Sequence, residues 1–338
     1  MSEIILSVKD LKTYFYTASG VAKAVDGVSF DIARGETMGI VGESGSGKSV
    51  TSSSIIRLLP PKTGRIVGGS IQFEEKDVLA LNQRQLLDFR GKDIAVIFQD
   101  PMTSLDPVFK IGRQMVEMIM AHQPVSKEEA RKMAVEALDK VGIPEPEKRM
   151  NAYPYELSGG MCQRVIIAMA VCCKPKLIIA DEPTTALDVT VQAQVLELLK
   201  DLQKTMDTAI LLITHNLGVV WDMCDKVMVM YAGNTVEFTD TKTLYQNPKH
   251  PYTWGLLDSM PKLSDVSHGE LQAIPGTPPD LRLTGKCCNF YNRCPYVTEE
   301  CMVSVPPLVE VEPGHLVACH RQNLENSLEK GTVTENER

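Results

Sequence analysis

The hydrophobic and polar positions along the chain follow two periods, one typical of strands and one typical of helices. Helical spacing dominates residues 110–150, where Ile111, Met115, Met118 and Ile119 share one face, and it returns at 165–173 and 190–205. Short apolar or alternating runs predict strands, at 4–8, 28–32, 38–41, 93–98, 177–180, 209–213, 226–231 and 235–238. This order predicts an α/β fold with a β-rich opening and a helical subdomain at about 100–170.

One glycine-rich stretch stands between a predicted buried strand and a predicted helix. Residues 42–49 read Gly-Glu-Ser-Gly-Ser-Gly-Lys-Ser, which fits the phosphate-loop pattern of a P-loop NTPase core. In such a loop, backbone N–H groups and a helix N-terminus bind the phosphates of a nucleotide. We expect Lys48 to contact the β- and γ-phosphates and the Ser49 hydroxyl to bind Mg²⁺. The flanking strand and helix argue against a chance glycine turn. The predicted nucleotide-binding residues of the loop are Gly42, Glu43, Ser44, Gly45, Ser46, Gly47, Lys48 and Ser49.

Polar side chains also end three other predicted strands. Gln99 follows the strand at 93–98, Asp181 and Glu182 end the strand at 177–180, and His215 follows the strand at 209–213. Ligands of open α/β sheets gather at the carboxyl ends of the strands, so these residues should meet. Buried adjacent acids are costly unless they are paired or face a metal. We therefore expect Asp181 to hold Mg²⁺ and Glu182 to polarise an attacking water, whereas Gln99 and His215 taken singly are also compatible with structural roles.

Two further stretches offer candidate contacts to a nucleotide. Aromatic residues end an early strand, and Phe15, or as a second choice Tyr14, could stack on an adenine ring; ordinary packing of strand aromatics is equally compatible. Residues 157–163 (Leu-Ser-Gly-Gly-Met-Cys-Gln) form a glycine turn that opens the helix at 165–173. Ser158, Gly159 and Gly160 there would make a second anion site, and the simpler alternative is that Ser158 caps the helix.

Composition and charge narrow the class of protein. The net charge is −8, which argues against nucleic acid as a partner. No apolar run reaches the length needed to cross a bilayer, and residues 1–9 lack the order of a signal peptide. These features predict a soluble cytosolic chain that reaches a membrane only through partners. Nine cysteines in such a chain indicate free thiols or metal ligands rather than disulfides.

The composition changes near residue 248 and becomes proline-rich at 274–280. We predict a main domain at 1–260, an extension at 261–323 and a disordered tail at 324–338. Four cysteines in the extension have the spacing Cys-x5-Cys-x6-Cys-x17-Cys; they are Cys288, Cys294, Cys301 and Cys319. Four thiols in a segment with little core of its own suggest a metal staple, with Cys287 and His320 as substitute ligands. Zn²⁺ suits the ligand type, and unligated thiols remain an alternative. Cys172, Cys173 and Cys224 fit a core position.

The motifs, taken in order, resemble the complete set of an ABC-transporter ATPase subunit; they are 42–49, Gln99, 157–163, 177–182, 186–188 and His215. This resemblance covers about residues 4–260. Residues 247–257 and the proline-rich segment after them resemble the oligopeptide/dipeptide and nickel importer branch, to about residue 320. The resemblance implies a P-loop NTPase core with an antiparallel β subdomain, a helical subdomain and a small irregular cysteine-containing extension.

The resemblance also implies roles for single residues. Lys48, Glu182 and His215 would be catalytic, and Ser49, Gln99 and Asp181 would serve Mg²⁺. Ser158 and Gly160 would bind the γ-phosphate of ATP held by an opposite subunit, and Asp188 would lie at that dimer interface. Cys162 stands where this branch usually has arginine, and from a place beside the anion site it would tune γ-phosphate affinity. Some members of the branch carry a 4Fe–4S cluster, which the four cysteines of the extension would hold.

The implied function is ATP hydrolysis that drives uptake of di- and oligopeptides across the cytoplasmic membrane. The implied partners are a paralogous ATPase subunit in a heterodimer, two membrane-spanning permease subunits and, indirectly, an extracytoplasmic peptide-binding protein. The chain would sit at the cytoplasmic face of the membrane. Alternatives are a nickel importer, an ABC ATPase without membrane partners, and a metal-sensing module without ATP turnover. The intact Glu182 and His215 argue against the last of these.

Overall fold

The computed structural model of the chain describes residues 3–185, 187–259 and 274–323, without the side chains of Met102, Gln322 and Asn323. The strands are β1 (Ile4–Thr17), β2 (Gly20–Ala33), β3 (Thr37–Val41), β4 (Gly64–Phe73), β5 (Lys76–Asp77), β6 (Ile94–Ile97), β7 (Leu177–Asp181), β8 (Ala209–Thr214), β9 (Lys226–Tyr231), β10 (Asn234–Asp240), β11 (Val309–Glu312) and β12 (His315–Val317). The α-helices are α1 (Lys48–Ile55), α2 (Gln83–Asp88), α3 (Pro101–Ser104), α4 (Ile111–His122), α5 (Lys127–Lys140), α6 (Pro146–Arg149), α7 (Gly159–Cys172), α8 (Val189–Met206), α9 (Leu217–Met223), α10 (Thr241–Gln246), α11 (Pro251–Asp258) and α12 (Glu299–Val303). The predicted tail at 324–338 and residue 186 of the 186–188 motif lie outside the described residues.

The β-rich opening forms a separate antiparallel sheet in the order β2-β1-β4-β5. Strands β1 and β2 make a long hairpin that turns at residues 18–19. The C-terminal half of β1 contacts α1, where the Thr13 hydroxyl is 2.8 Å from the Ser54 hydroxyl. The antiparallel sheet is thereby tied to the helix that follows the phosphate loop.

The larger sheet has the order β11-β12-β10-β9-β3-β8-β7-β6. Its strands from β9 to β6 run parallel, so their carboxyl ends lie along one edge. Every residue of β3 and of β8 is buried. Parallel strands covered on both faces read as continuous apolar runs, which is why the sequence shows them clearly. The phosphate loop leaves the centre of this edge, next to β8.

The segment between β6 and β7 is largely helical, as predicted. Ile111, Met115 and Ile119 of α4 are fully buried, which confirms the predicted apolar face. Helix α7 begins at Gly159 and not near 165, so the expected glycine turn is wrong. The two glycines form the first helical turn, because Ser158 already supplies the N-cap.

The C-terminal extension, here residues 274–323, continues the larger sheet. Strand β12 pairs with β10, and β11 pairs with β12. The extension also covers α11 with the Phe290 ring, whose centroid is 5.4 Å from that of Tyr252. The boundary near 260 falls at residues outside the described part and stays a prediction. Within the described ranges, no helix is long and apolar enough to cross a membrane.

Candidate active site at the edge of the parallel strands

The phosphate loop between β3 and α1 needs glycine for two physical reasons. Gly42 and Gly47 have φ values of 152° and 106°, which favour glycine. A Cβ atom on Gly42 would lie 2.2 Å from the Met230 carbonyl oxygen, and one on Gly47 would lie 2.3 Å from the Ala24 carbonyl oxygen. The surrounding backbone therefore excludes any side chain at these two positions and fixes the course of the loop.

Lys48 is the buried cation of the loop. Its Nζ donates to the Gly42 carbonyl at 2.7 Å and to the Glu43 carbonyl at 2.9 Å. Burial lowers the pKa of Lys48, and the nearby carboxylates of Glu182 and Asp181 partly offset this shift. The Ser46 hydroxyl is buried and has no hydrogen-bond partner among the described residues. A buried cation and an unpaired hydroxyl in a glycine loop fit a phosphate ligand.

The Mg²⁺ prediction rests on the contact between α1 and β7. The Ser49 hydroxyl donates to Asp181 Oδ1 at 3.0 Å, so the two predicted oxygen ligands are adjacent. Burial raises the pKa of Asp181, while the hydrogen bond from Ser49 lowers it. Hydroxyl and carboxylate oxygens beside a phosphate site are the ligands that Mg²⁺ prefers. The residues present therefore fit this ion.

Glu182 joins the ends of three parallel strands. Its Oε2 accepts from Gln99 Nε2 at 3.1 Å and from the Thr185 hydroxyl at 2.9 Å, and its Oε1 is 3.2 Å from His215 Nδ1. The backbone of Glu182 is left-handed, with φ of 49°. Such strain in a non-glycine residue costs on the order of 1 kcal/mol and is concentrated at functional sites. The predicted meeting of Gln99, Glu182 and His215 is confirmed; Thr185 was missed, although it lies three residues after Glu182.

Two other predicted residues begin helices. The Ser158 hydroxyl accepts from the Met161 N–H at 3.3 Å, and Asp188 Oδ1 accepts from the Val191 N–H at 3.0 Å. Ser158 and Gly159 are exposed at the start of α7, and a Cβ on Gly160 would lie 2.7 Å from Val191 Cγ1. The capping alternative for Ser158 is thus realised. The roles of Ser158, Gly159, Gly160 and Asp188 toward a second nucleotide stay predictions.

The aromatic candidates differ in their surroundings. The Tyr14 hydroxyl donates to Asp26 Oδ1 at 2.7 Å, and burial raises the pKa of Tyr14 to about 12. Phe15 is half-buried beside Gly64, where a Cβ would lie 3.1 Å from its ring. Tyr14 is therefore committed to the sheet. Adenine stacking on Phe15 stays a prediction.

The Cys162 thiol lies in the core and not at the exposed start of α7, and its expected influence on γ-phosphate affinity stays a prediction. The residue is fully buried, and its thiol donates to the Pro154 carbonyl at 3.5 Å. Burial raises its pKa. On a helix that begins at Gly159, Cys162 shares the core face with Val165 and Ile166, which is the spacing of one buried stripe.

The four cysteines of the extension lie close enough to influence one another. Burial, and then the thiols of Cys301, Cys294 and Cys319, raise the pKa of Cys288 to about 12. Burial, and then the thiols of Cys319 and Cys301, raise the pKa of Cys294 to about 11. Even so, the described residues contain no group of three or more His, Cys, Asp or Glu side chains arranged to hold a metal ion. The four thiols suit a metal by chemistry, but the described arrangement of the extension supports neither Zn²⁺ nor a 4Fe–4S cluster, and both stay predictions.

Glu43 has partners that the sequence did not indicate. Its carboxylate faces Arg293 of the extension, and its backbone N–H donates to the Tyr252 hydroxyl at 2.8 Å. Neither partner belongs to a local motif, and Arg293 lies 250 residues along the chain. The carboxylate of Glu43 therefore faces the extension, and its role as a nucleotide ligand stays a prediction.

A phosphate loop after a central parallel strand, with an acid pair and a histidine on the neighbouring strand ends, defines a P-loop nucleotide hydrolase. Comparison with known proteins narrows this class. The family model "ABC transporter" matches residues 25–185, and the model "Oligopeptide/dipeptide transporter, C-terminal region" matches residues 236–301.

Curated relatives match nearly the whole chain. The oligopeptide transport ATP-binding protein OppD of Bacillus subtilis (strain 168) is 53% identical over 93% of this chain and 87% of its own length. The protein of the same name from Escherichia coli (strain K12) is 50% identical over 95% of this chain and 94% of its own. The ATP-binding cassette MJ0796, solved as a dimer bound to ADP and Pi, superimposes with a TM-score of 0.63 at 26% identity, over 70% of this chain and 98% of that one. This chain belongs to the ABC transporter ATP-binding family, in its oligopeptide/dipeptide branch, and is an ATPase.

Proposed function

We propose that this chain hydrolyses ATP to power the import of di- and oligopeptides through a membrane transporter. The observation that carries the proposal is the cluster at the strand edge. The Glu182 carboxylate lies within hydrogen-bond distance of Gln99, Thr185 and His215. Glu182 also directly follows Asp181, which accepts from the Ser49 hydroxyl. Relatives named for oligopeptide transport support a peptide cargo, so the nickel alternative is not favoured. A family of transporter subunits also disfavours a metal sensor or a free-standing ATPase.

The residues divide the work of phosphoryl transfer among themselves. When ATP binds, Lys48 gives up its hydrogen bonds to the Gly42 and Glu43 carbonyls and donates to phosphate oxygens instead. His215 donates toward the γ-phosphate. Glu182 orients the attacking water once His215 and Gln99 turn toward the nucleotide. Mg²⁺ supplies charge neutralisation at the phosphates, and Ser49, Asp181 and Gln99 would hold it. Because this reaction depends on positioning and electrostatics, small displacements of these groups change the rate strongly.

A groove beside Gln99 supports a permease partner. It encloses about 310 Å³ and is lined by apolar side chains that include Ile56, Leu58, Phe98, Met118 and Met169. Leu58 and Phe98 are exposed although they are large and apolar. Phe98 lines the groove and directly precedes Gln99. Movement of Gln99 at the nucleotide would therefore be transmitted to a short helix of a permease subunit bound in this groove. This would place the chain at the cytoplasmic face of the membrane.

The exposed start of α7 supports a second ATPase subunit. Ser158, Gly159 and Gly160 offer backbone N–H groups and a hydroxyl at a helix N-terminus, which suits the γ-phosphate of ATP held by another cassette. Asp188 would lie at the same interface. A paralogue fits the partner role, in a complex with two permease subunits and, indirectly, an extracytoplasmic peptide-binding protein.

The four cysteines of the extension are proposed to hold a 4Fe–4S cluster. Their burial and mutual influence on pKa support convergence on one place. Anaerobic purification should give a brown protein with about four irons per chain, lost in Cys288→Ser and kept in the core variant Cys224→Ser. A colourless, iron-free wild-type protein would refute the cluster and leave the ATPase intact.

The transport proposal is tested with the chain, its candidate ATPase partner and the permeases reconstituted in liposomes. Peptide and the peptide-binding protein should stimulate phosphate release, and Ni²⁺ should not. Lys48→Ala should abolish the stimulation while the complex still assembles, and the surface variant Lys9→Ala serves as the matched control. Stimulation by Ni²⁺ alone, or failure to co-purify with any permease, would contradict the proposal.

A further inference from the structure

The C-terminal extension holds the start of the phosphate loop through one buried arginine. Arg293 Nη1 donates to Glu43 Oε2 at 2.6 Å, and Arg293 Nη2 donates to Glu43 Oε1 at 2.9 Å. The Arg293 side chain is 4% exposed and that of Glu43 is 28% exposed. Two parallel charge-assisted hydrogen bonds fix both distance and orientation, which a lysine could not do.

The guanidinium of Arg293 is itself held in place. Nε donates to the Pro275 carbonyl at 2.9 Å, Nη2 to the Ile274 carbonyl at 3.2 Å, and Nη1 to the Tyr231 hydroxyl at 3.3 Å. Glu43 raises the pKa of Arg293, so the charge persists at every working pH. The position of Glu43 is therefore set by backbone of the extension and by a tyrosine at the end of β9.

A second contact holds the backbone of the same loop residue. The Tyr252 hydroxyl accepts from the Glu43 N–H at 2.8 Å, and Tyr252 is fully buried against the rings of Tyr231 and Phe290. The Glu43 carbonyl, in turn, accepts from Lys48 Nζ. A continuous chain of contacts thus runs from the extension through Glu43 to the cation of the phosphate loop.

We propose that Arg293 and Tyr252 are positioning residues that pre-organise the phosphate loop, so that ATP affinity depends on the C-terminal extension. The inference rests on the proposed assignment of residues 42–49 as the ATP site. A loop already held in its binding shape loses less freedom when the ligand arrives, and this difference appears as affinity. Lys48 contacts the clamp through the Glu43 carbonyl, whereas Glu182 and His215 are not part of it.

The test compares Arg293→Gln with the matched control Arg282→Gln in the full-length protein. Arg282 belongs to the same extension, but its carboxylate partner is Asp280 and not the loop. With a fluorescent ATP analogue as the probe, we expect the Kd of Arg293→Gln to rise about tenfold, since a hydrogen bond to a charged group is being lost. The kcat at saturating ATP should stay within about twofold of wild type because the catalytic groups remain. Arg282→Gln should match wild type in both.

Further variants separate positioning from a general loss of structure. Glu43→Gln should raise the Kd as well, and the double variant should lose no more than Arg293→Gln alone, because both changes break one contact. If Arg293→Gln does not fold, Glu43→Gln and Tyr252→Phe carry the test. A lower Tm with an unchanged Kd at 10 °C, or losses that add in the double variant, would overturn the clamp. A wild-type chain that binds no ATP would instead overturn the proposed function.

Discussion

Two glutamate–histidine pairs in this molecule differ in almost every physical respect. Glu182 Oε1 is 3.2 Å from His215 Nδ1, and the two side chains are 17% and 63% exposed. Glu237 Oε1 is 2.8 Å from His315 Nε2, and the side chains are 0% and 1% exposed. The first pair joins two strand ends at the nucleotide edge. The second joins β10 to the first residue of β12, and so fastens the extension to the larger sheet.

The kinds of hydrogen-bond donor explain why the pairs have different uses. Glu182 accepts from the side chains of Gln99, Thr185 and His215, which can turn toward a nucleotide and be replaced by water. Glu237 also accepts from the backbone N–H groups of Lys249 at 2.7 Å and His250 at 2.9 Å, which cannot turn away. Exchangeable partners suit a reacting carboxylate, and fixed ones suit a structural carboxylate. The type of residue alone does not distinguish the two.

The largest expected effect separates the pairs by activity. Glu182→Gln keeps the size and shape of the side chain but cannot accept a proton, so turnover should fall about 10³-fold. ATP binding and the Tm should stay near the wild-type values, because His215 is exposed and the donors around Glu182 can bind water instead. Phosphate release measures turnover, nucleotide titration measures ATP binding, and thermal unfolding gives the Tm. Wild-type turnover in Glu182→Gln would remove this residue from the mechanism.

The second prediction is the opposite result: stability should fall and turnover should not change. Glu237→Gln replaces a buried carboxylate by an amide, whose NH₂ group would face one of the N–H donors and leave it unpaired. Unfolding free energy should fall by about 3 kcal/mol, as for a broken buried pair. Turnover at 20 °C should not change. Urea unfolding and phosphate release measure the two, with Glu310→Gln on the exposed strand β11 as the control. Equal stability of Glu237→Gln and wild type would mean that burial does not distinguish the pairs.

Most of the nucleotide edge could be predicted because its residues, apart from the missed Thr185, follow recognisable local patterns. A buried parallel strand reads as an apolar run, and the polar residue that ends it needs no knowledge of distant contacts. Gly42–Ser49, Asp181, Glu182 and His215 were all found in this way. Cys162 was misplaced although the signal was there, since the spacing of Cys162, Val165 and Ile166 marks one buried stripe once the helix start is known.

The attachment of the extension could not be predicted for the opposite reason. Glu237 and His315 are 78 residues apart, and Glu43 and Arg293 are 250 apart. Neither pair has a local pattern, because a charged residue on an alternating strand or in an irregular segment is normally exposed. The burial of these charges follows from how the segments pack, which one sequence does not contain.

The third prediction concerns pH and the helix α11, which the extension covers. His250 is fully buried at the N-cap of α11, and burial lowers its pKa to about 4. The unfolded chain binds a proton near pH 6.5 and the folded chain does not, so stability should fall as the pH drops from 6.5 toward 4. The loss should reach about 3 kcal/mol at pH 4 and about 0.8 kcal/mol at pH 6. Unfolding curves across this range check it. His250→Asn, which keeps a cap acceptor, should flatten the slope, and an unchanged slope would exclude His250 as its source.

The smallest effect concerns Ser158, where a structural role and a proposed functional role coincide. Ser158→Ala removes the N-cap of α7 and should lower the unfolding free energy by about 1 kcal/mol. Ser158→Asp restores a cap acceptor, and its charge also favours the helix N-terminus, so stability should return to the wild-type value. If the start of α7 serves the γ-phosphate of a second subunit, the same charge should repel that phosphate and turnover should stay low. Thermal unfolding beside phosphate release in the assembled complex separates the two roles. Full turnover in Ser158→Asp would mean that Ser158 caps α7 for structure alone, just as Glu237 is paired for structure. The nucleotide edge would then be complete without the exposed start of α7.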